Sequence, residues 1–182
     1  MKRGNTYMTF TNKLQKHVKD FHLAFKHPVS DVPKPMELER AINRSIWTGE
    51  EVIEFLFASS SNETEFAHAY YTFLEGLQKA YHKSLQEEFI QDETERVVAQ
   101  ADALTDTDYF IKGSFVEIGV DEEPVFDIVQ EANMSKLFTD ENGNKYPKYR
   151  EDGKILKSPE FFTPEARIKE EIQRQINNAL TK

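Results

Sequence analysis

Apolar residues recur every three or four positions along most of this chain, which is the period of an amphipathic helix. Leu14, Val18, Phe21 and Phe25 mark a first helix from about Thr11 to Phe25. The stretch 27–35 carries Pro28, Pro33 and Pro35 and reads as a connection, since proline removes a helical donor and fixes φ. A second helix is predicted from about Met36 to Ser59, weakened at Gly49 by about 1 kcal/mol relative to alanine. After a break at 59–62, helical spacing resumes from about Glu63 to Ile90 and again from about Glu93 to Ile118, ending near Gly119. Asp121-Glu122-Glu123-Pro124 has the composition of a cap and first turn, with acidic groups at the positive end of the dipole. A helix from about Pro124 to Leu137 follows it.

The period then disappears. From Thr139 to Pro164 the chain is rich in Gly, Asn, Asp, Lys and Pro, and Asn142-Gly143 and Asp152-Gly153 are hairpin-type turns. A polar helix from about Pro164 to Leu180 closes the pattern. The prediction is an all-α fold, a helical bundle with a C-terminal loop or hairpin arm. Residues 11–138 form the helical body, and 139–182 supply an arm and terminal helix belonging to the same unit.

Composition narrows the function classes. Hydrophobic residues make up 38% of the chain, enough for a core although 30% of residues are charged. No apolar run reaches the roughly 18 residues a spanning helix needs. The basic start, Met1 to Thr6, has no apolar segment of the secretory kind, so a cytoplasmic protein without membrane association is expected. Cysteine is absent, which excludes disulfides, thiolate nucleophiles and zinc–thiolate sites. A formal charge of -9 argues against a nucleic-acid-binding face but not against nucleotides.

Two acidic clusters carry the candidate chemistry, Glu50-Glu51-Val52-Ile53-Glu54 and Asp102-Ala103-Leu104-Thr105-Asp106. Glu51 and Glu54 lie three apart and share a helix face; Asp102 and Asp106 lie four apart and share another. A solvated acidic face accounts for either cluster alone. Together they match the way bundle metal sites are built, from carboxylates on facing helices. Carboxylates brought into one volume repel one another unless a cation sits between them, and all-oxygen donors suit Mg2+ or Mn2+.

The same residues are similar to those of the all-α nucleoside triphosphate pyrophosphohydrolases, the MazG-like group that includes phosphoribosyl-ATP pyrophosphohydrolase relatives. The resemblance runs from Phe21, His22 and Phe25-Lys26-His27-Pro28-Val29, through Arg44 and the Glu50–Glu54 cluster, to Asp102–Tyr109 and Gly113. It closes with Glu131–Lys136 and Asp152–Lys157, covering roughly residues 15 to 160. Glu51 and Glu54 match the E-x-x-E half of the family's metal motif. The second half, E-x-x-D, places Ala99 where glutamate is usual and Asp102 at its aspartate, and Asp106 is one turn further on the same face.

The resemblance implies Mg2+-dependent hydrolysis between the α- and β-phosphates of a nucleotide, giving a monophosphate and pyrophosphate. Glu51, Glu54, Asp102 and Asp106 are the expected metal ligands, with Glu50 as the carboxylate that orients water or accepts its proton. Asn133 and Lys136 are three apart on one helix and suit phosphate contact, with Arg44, Lys112, Lys154 and Lys157 as further cations. Trp47 and Phe55 are candidates for stacking on a base, although aromatics at helical spacing also serve as core. A homo-oligomer, dimer or dimer of dimers, is expected from the family and from the large apolar groups on these helices. Three alternatives remain at this point: phosphoribosyl-ATP as substrate, a helical metal- or nucleotide-binding module without turnover, or a purely structural bundle with solvated acidic faces.

Overall fold

The computed structural model describes residues 10–181, and they are mainly helical. Six α-helices and one short hairpin follow in the order α1 (Lys13–Ala24), α2 (Leu38–Ala58), α3 (Glu63–Ser84), α4 (Glu93–Glu117), α5 (Glu122–Met134), β1 (Phe138–Thr139), β2 (Lys145–Tyr146) and α6 (Glu165–Leu180). The all-α expectation holds, and every predicted helix is present. Their ends are set by local hydrogen bonds that periodicity does not encode. The Asn12 side chain accepts from Gln15 N at 3.1 Å and starts α1 two residues later than predicted. Asp92 does the same for α4 through Glu95 N, at 2.9 Å.

Two predicted ends move further. Helix α3 stops at Ser84 and not near Ile90, where Gln86 N and Glu87 N turn back to the carbonyls of Lys83 and Ser84. Helix α5 starts at Glu122, capped by Asp121, so that Pro124 sits inside the first turn, where no helical donor is needed. It ends at Met134, and tight turns carry the chain on to Leu137.

The chain divides into two compact units, one made of the residues up to Pro33 with those from Leu104 onward, the other of Lys34–Ala103. The division falls within α4 and not at 138, where the sequence pattern changes. In the first unit α5 packs between α1 and α6. Phe25 is fully buried, stacked on Phe21 with ring centroids 4.3 Å apart, and Ala132 and Leu137 complete the buried apolar set. Polar groups fix this packing. Gln130 donates to His17 O at 2.9 Å, Lys13 bridges Glu123 and Asp127 at 2.6 and 2.7 Å, and the Tyr149 hydroxyl donates to Phe25 O. Gln175 on α6 bonds both backbone groups of Asp121, at 2.8 and 3.1 Å.

The arm also belongs to the first unit. Strands β1 and β2 pair antiparallel, with Phe138 opposite Tyr146, around the Asn142-Gly143 turn. Tyr149 and Ile155 form an isolated bridge around Asp152-Gly153. Both predicted turns are therefore present, and only the first closes a true strand pair.

In the second unit α2 packs on α3, and Gln100 of α4 holds the start of α2 by accepting from Met36 N at 2.8 Å and donating to Met36 O at 3.1 Å. None of α2, α3 or α4 contains a buried residue.

Two backbone positions yield stability predictions of opposite kind. Lys26 terminates α1 at φ 54°, with His27 N returning to His22 O at 2.8 Å, a left-handed cap that glycine fills without strain. Gly49 sits inside α2, and a Cβ there would meet nothing within 4 Å. Lys26→Gly and Gly49→Ala are each expected to stabilise the fold by about 0.5–1 kcal/mol in urea unfolding. Phe25→Ala is expected to cost about 3–5 kcal/mol in the same assay.

Candidate active site

Helix α2 carries one continuous stripe of candidate residues. Arg40, Arg44, Trp47, Glu51 and Glu54 are spaced four, three, four and three residues apart. At 100° per residue, that spacing keeps all five within an arc of about 80°. Glu51 and Glu54 are both exposed and project from the same side, as the sequence predicts. Glu50 is exposed beside them, and Phe55 borders the stripe, 52% exposed.

Asp102 lies in the same unit, two residues beyond the Gln100 that ties α4 to the start of α2. Asp106 follows one turn later on α4, and both aspartates are exposed. The donors have the right chemistry for Mg2+, since all are hard carboxylate oxygens. Among the described residues, no three acidic or histidine side chains converge closely enough to hold a metal ion. The anticipated meeting of four carboxylates is thus not made among the described residues of one copy of the chain.

The cations divide into compensated and uncompensated groups. Lys112 is held by Asp108 at 2.5 Å, with Glu122 at 3.7 Å, and these partners raise its pKa. Its charge is committed to an internal ion pair, which weakens its case as a phosphate contact. It lines a cleft of about 410 Å3 whose wall mixes the apolar Leu14, Val18, Leu104 and Phe126 with polar groups that include its own partners Asp108 and Glu122. Lys154 is exposed in the turn after Asp152, to which its backbone N–H donates at 3.1 Å.

Lys136 and Lys157 behave differently. Their ammonium groups lie 6.0 and 4.4 Å from the centroid of the same ring, Phe161. Lys136 donates to the Asn133 side-chain oxygen at 2.6 Å, and neither lysine makes an ion pair among the described residues. Burial, and then the like charge of Lys157, pull the pKa of Lys136 below the usual lysine value.

A pair of serines positions these two cations. Ser158, 7% exposed, donates to Ser135 O at 2.7 Å, and Phe162 N donates to Ser135 Oγ at 3.3 Å. The loop is thereby pinned to the end of α5, and the two lysines meet although the whole hairpin arm lies between them in the chain. The structure brings together Asn133, Lys136 and Lys157. Arg40, Ser135, Ser158 and Phe161 are additions to the sequence-derived set. Arg40 was legible in the helical spacing; the serine latch was not, because nothing local links positions 135 and 158.

The chain matches the family model described as phosphoribosyl-ATP pyrophosphohydrolase over residues 18–133. It is also similar to a crystal structure of a protein from Exiguobacterium sp. 255-15, assigned as a candidate NTP pyrophosphohydrolase. The TM-score is 0.86 at 45% sequence identity, covering 92% of this chain and 98% of that one. A comparison with curated proteins gives no match.

The depressed pKa of Lys136 has a measurable consequence. A lysine binds phosphate only while protonated, so affinity that depends on Lys136 falls as pH rises, beginning below the ordinary lysine value of 10.5. Inorganic pyrophosphate binding followed by calorimetry from neutral to alkaline pH is expected to show this early loss, and Lys136→Gln to remove it.

Proposed function

Since the chain belongs to the phosphoribosyl-ATP pyrophosphohydrolase family, and is a hydrolase of phosphoanhydride bonds, we propose that it is a Mg2+-dependent nucleoside triphosphate pyrophosphohydrolase. The reaction takes a nucleoside triphosphate and water to a nucleoside monophosphate and pyrophosphate. The observation that carries this reading is the extent of the family match, 18–133, which contains both carboxylate clusters and Asn133. The likeness to the Exiguobacterium protein, whose assignment names NTPs, favours triphosphates in general over phosphoribosyl-ATP, the second reading.

In this proposal Glu51, Glu54 and Asp102 hold the metal, with Asp106 one turn along α4 taking the part of the glutamate that Ala99 replaces. Mg2+ there supplies charge neutralisation on phosphate oxygens and Lewis-acid activation of water. Glu50, beside the ligands and outside their face, orients the attacking water and accepts its proton. Lys136, Lys157 and Asn133 grip phosphate oxygens, the lysines as point charges and the amide as a donor. Trp47 and Phe55 remain the stacking candidates for the base.

A second copy of the chain completes the unit in this reading. Two observations support it. Among the described residues no set of three donors converges within one chain, and Leu38, Ile42, Ile46 and Phe57, which share one face of α2, are each about half or more exposed. Helices derive most of their stability from burying an apolar face, and a face left open at this scale marks an interface.

The decisive experiment combines a substrate panel with site variants. Ribo- and deoxynucleoside triphosphates and phosphoribosyl-ATP are each incubated with Mg2+ and with chelator, and products are separated. Metal-dependent monophosphate plus pyrophosphate from triphosphates is expected, with Glu54→Ala and Asp102→Ala lowering turnover about a hundredfold or more at unchanged helical circular dichroism. Loss confined to unfolded variants would defeat the assignment of these ligands. Light scattering after gel filtration is expected to give a dimer or tetramer mass, and a monomer with full activity would remove the shared-site proposal.

A further inference from the structure

Among the described residues, two arginines on α2 have no counter-charge. The Arg40 guanidinium carbon lies 5.1 Å from the Trp47 ring centroid and that of Arg44 lies 5.8 Å from it. Neither arginine makes an ion pair there, as is true of most lysines and arginines among the described residues, and it is the Trp47 ring they share that sets this pair apart. Like charges four apart on a helix repel, so the arrangement is destabilising on its own. The surroundings register it: crowding by protein atoms, and then the charge of Arg40, lower the pKa of Arg44, although the residue as a whole remains exposed.

Resting on the pyrophosphohydrolase reading, we propose that Arg40 and Arg44, braced on Trp47, form an anion site for the polyphosphate end of the nucleotide substrate. Stacking on an aromatic face restrains a guanidinium while leaving its in-plane N–H groups free, and that fork matches phosphate oxygens two at a time. The stripe gives the site its direction. Arg44 precedes Glu51 by seven residues, about 10 Å of helix rise, a span that an arginine side chain and a triphosphate bridge between them. The carboxylate end of the stripe would hold the metal and supply charge neutralisation, and the arginine end takes the terminal phosphate. Trp47 is then the support of an anion site, which competes with its role as a base-stacking surface.

Trp47 is the single tryptophan of the chain, so its fluorescence reports this site without a label. The full-length protein is titrated with inorganic tripolyphosphate in excess chelator, which removes any contribution of a metal. A saturable change in emission is expected. Arg40→Gln and Arg44→Gln should each raise Kd about tenfold, and the pair about a hundredfold, with a shallower dependence on salt. Arg44→Lys should recover part of the affinity, because a point charge replaces the fork. Circular dichroism checks that each variant is folded.

An unchanged Kd in the double variant overturns the site, as does a silent titration of the wild-type protein. A silent titration accompanied by a changed oligomer mass in the double variant also overturns it, and assigns the arginines to the acidic face of a second copy. The reading it rests on fails separately. Trp47-reported binding with no monophosphate formed from any nucleotide keeps the anion site and removes the hydrolase assignment. Turnover with unchanged KM in the double variant keeps the hydrolase and removes the site.

Discussion

Burial of apolar surface is the constraint on which the rest of this structure depends, and it is unevenly distributed. A helix becomes stable in water mainly by covering one face. The α1–α5–α6 unit achieves this around Phe25, Ala132 and Leu137, with Gln130 and the Lys13 ion pairs closing its polar margins. The α2–α3 unit does not: its helices bury no residue within the chain. That same unit holds Glu51, Glu54 and Asp102, so the helices with no buried residue are also the ones that carry these carboxylates.

Charge follows a parallel logic. Among the described residues, Lys13, Lys112, Arg150, Arg167 and Arg174 make ion pairs and most other lysines and arginines do not, so what distinguishes the remaining cations is what else they lie against. Lys136 and Lys157 meet over Phe161, and Arg40 and Arg44 meet beside Trp47, in each case against an aromatic ring and without an ion pair among the described residues, although the charge of Lys157 is felt by Glu165. A ring restrains a cation without neutralising it, which leaves the charge available to an anion that comes and goes.

The sequence made the helices legible because their apolar period is strong and their length exceeds any ambiguity with strands. It made both turns of the arm legible through Asn142-Gly143 and Asp152-Gly153. Helix ends were less accessible, since they depend on whether Asn12 or Asp92 turns its side chain toward a free N–H. The candidate site was legible as a set of residue types and much less as an arrangement. Lys112 looked like its fellow lysines until Asp108 and Glu122 were seen to hold it. The stripe from Arg40 to Glu54 was available from spacing alone, whereas the Lys136–Lys157 pair needed a fold that returns residue 158 to residue 135. The division inside α4 has no signature in the pattern, because helical periodicity runs through it without a break.

The serine latch separates two properties that a loop usually couples. Ser158 fastens to Ser135 directly, so Lys157 is held next to Lys136 by a bond at the end of the loop, while Tyr149 within the loop anchors separately on Phe25 O. Loop-closure entropy grows only slowly with length, and the ends of this loop are already fixed. Among the described residues the hydrogen bonds of the 140–144 tip stay within the hairpin, so length and sequence can vary there while the spacing of the two ammonium groups stays constant.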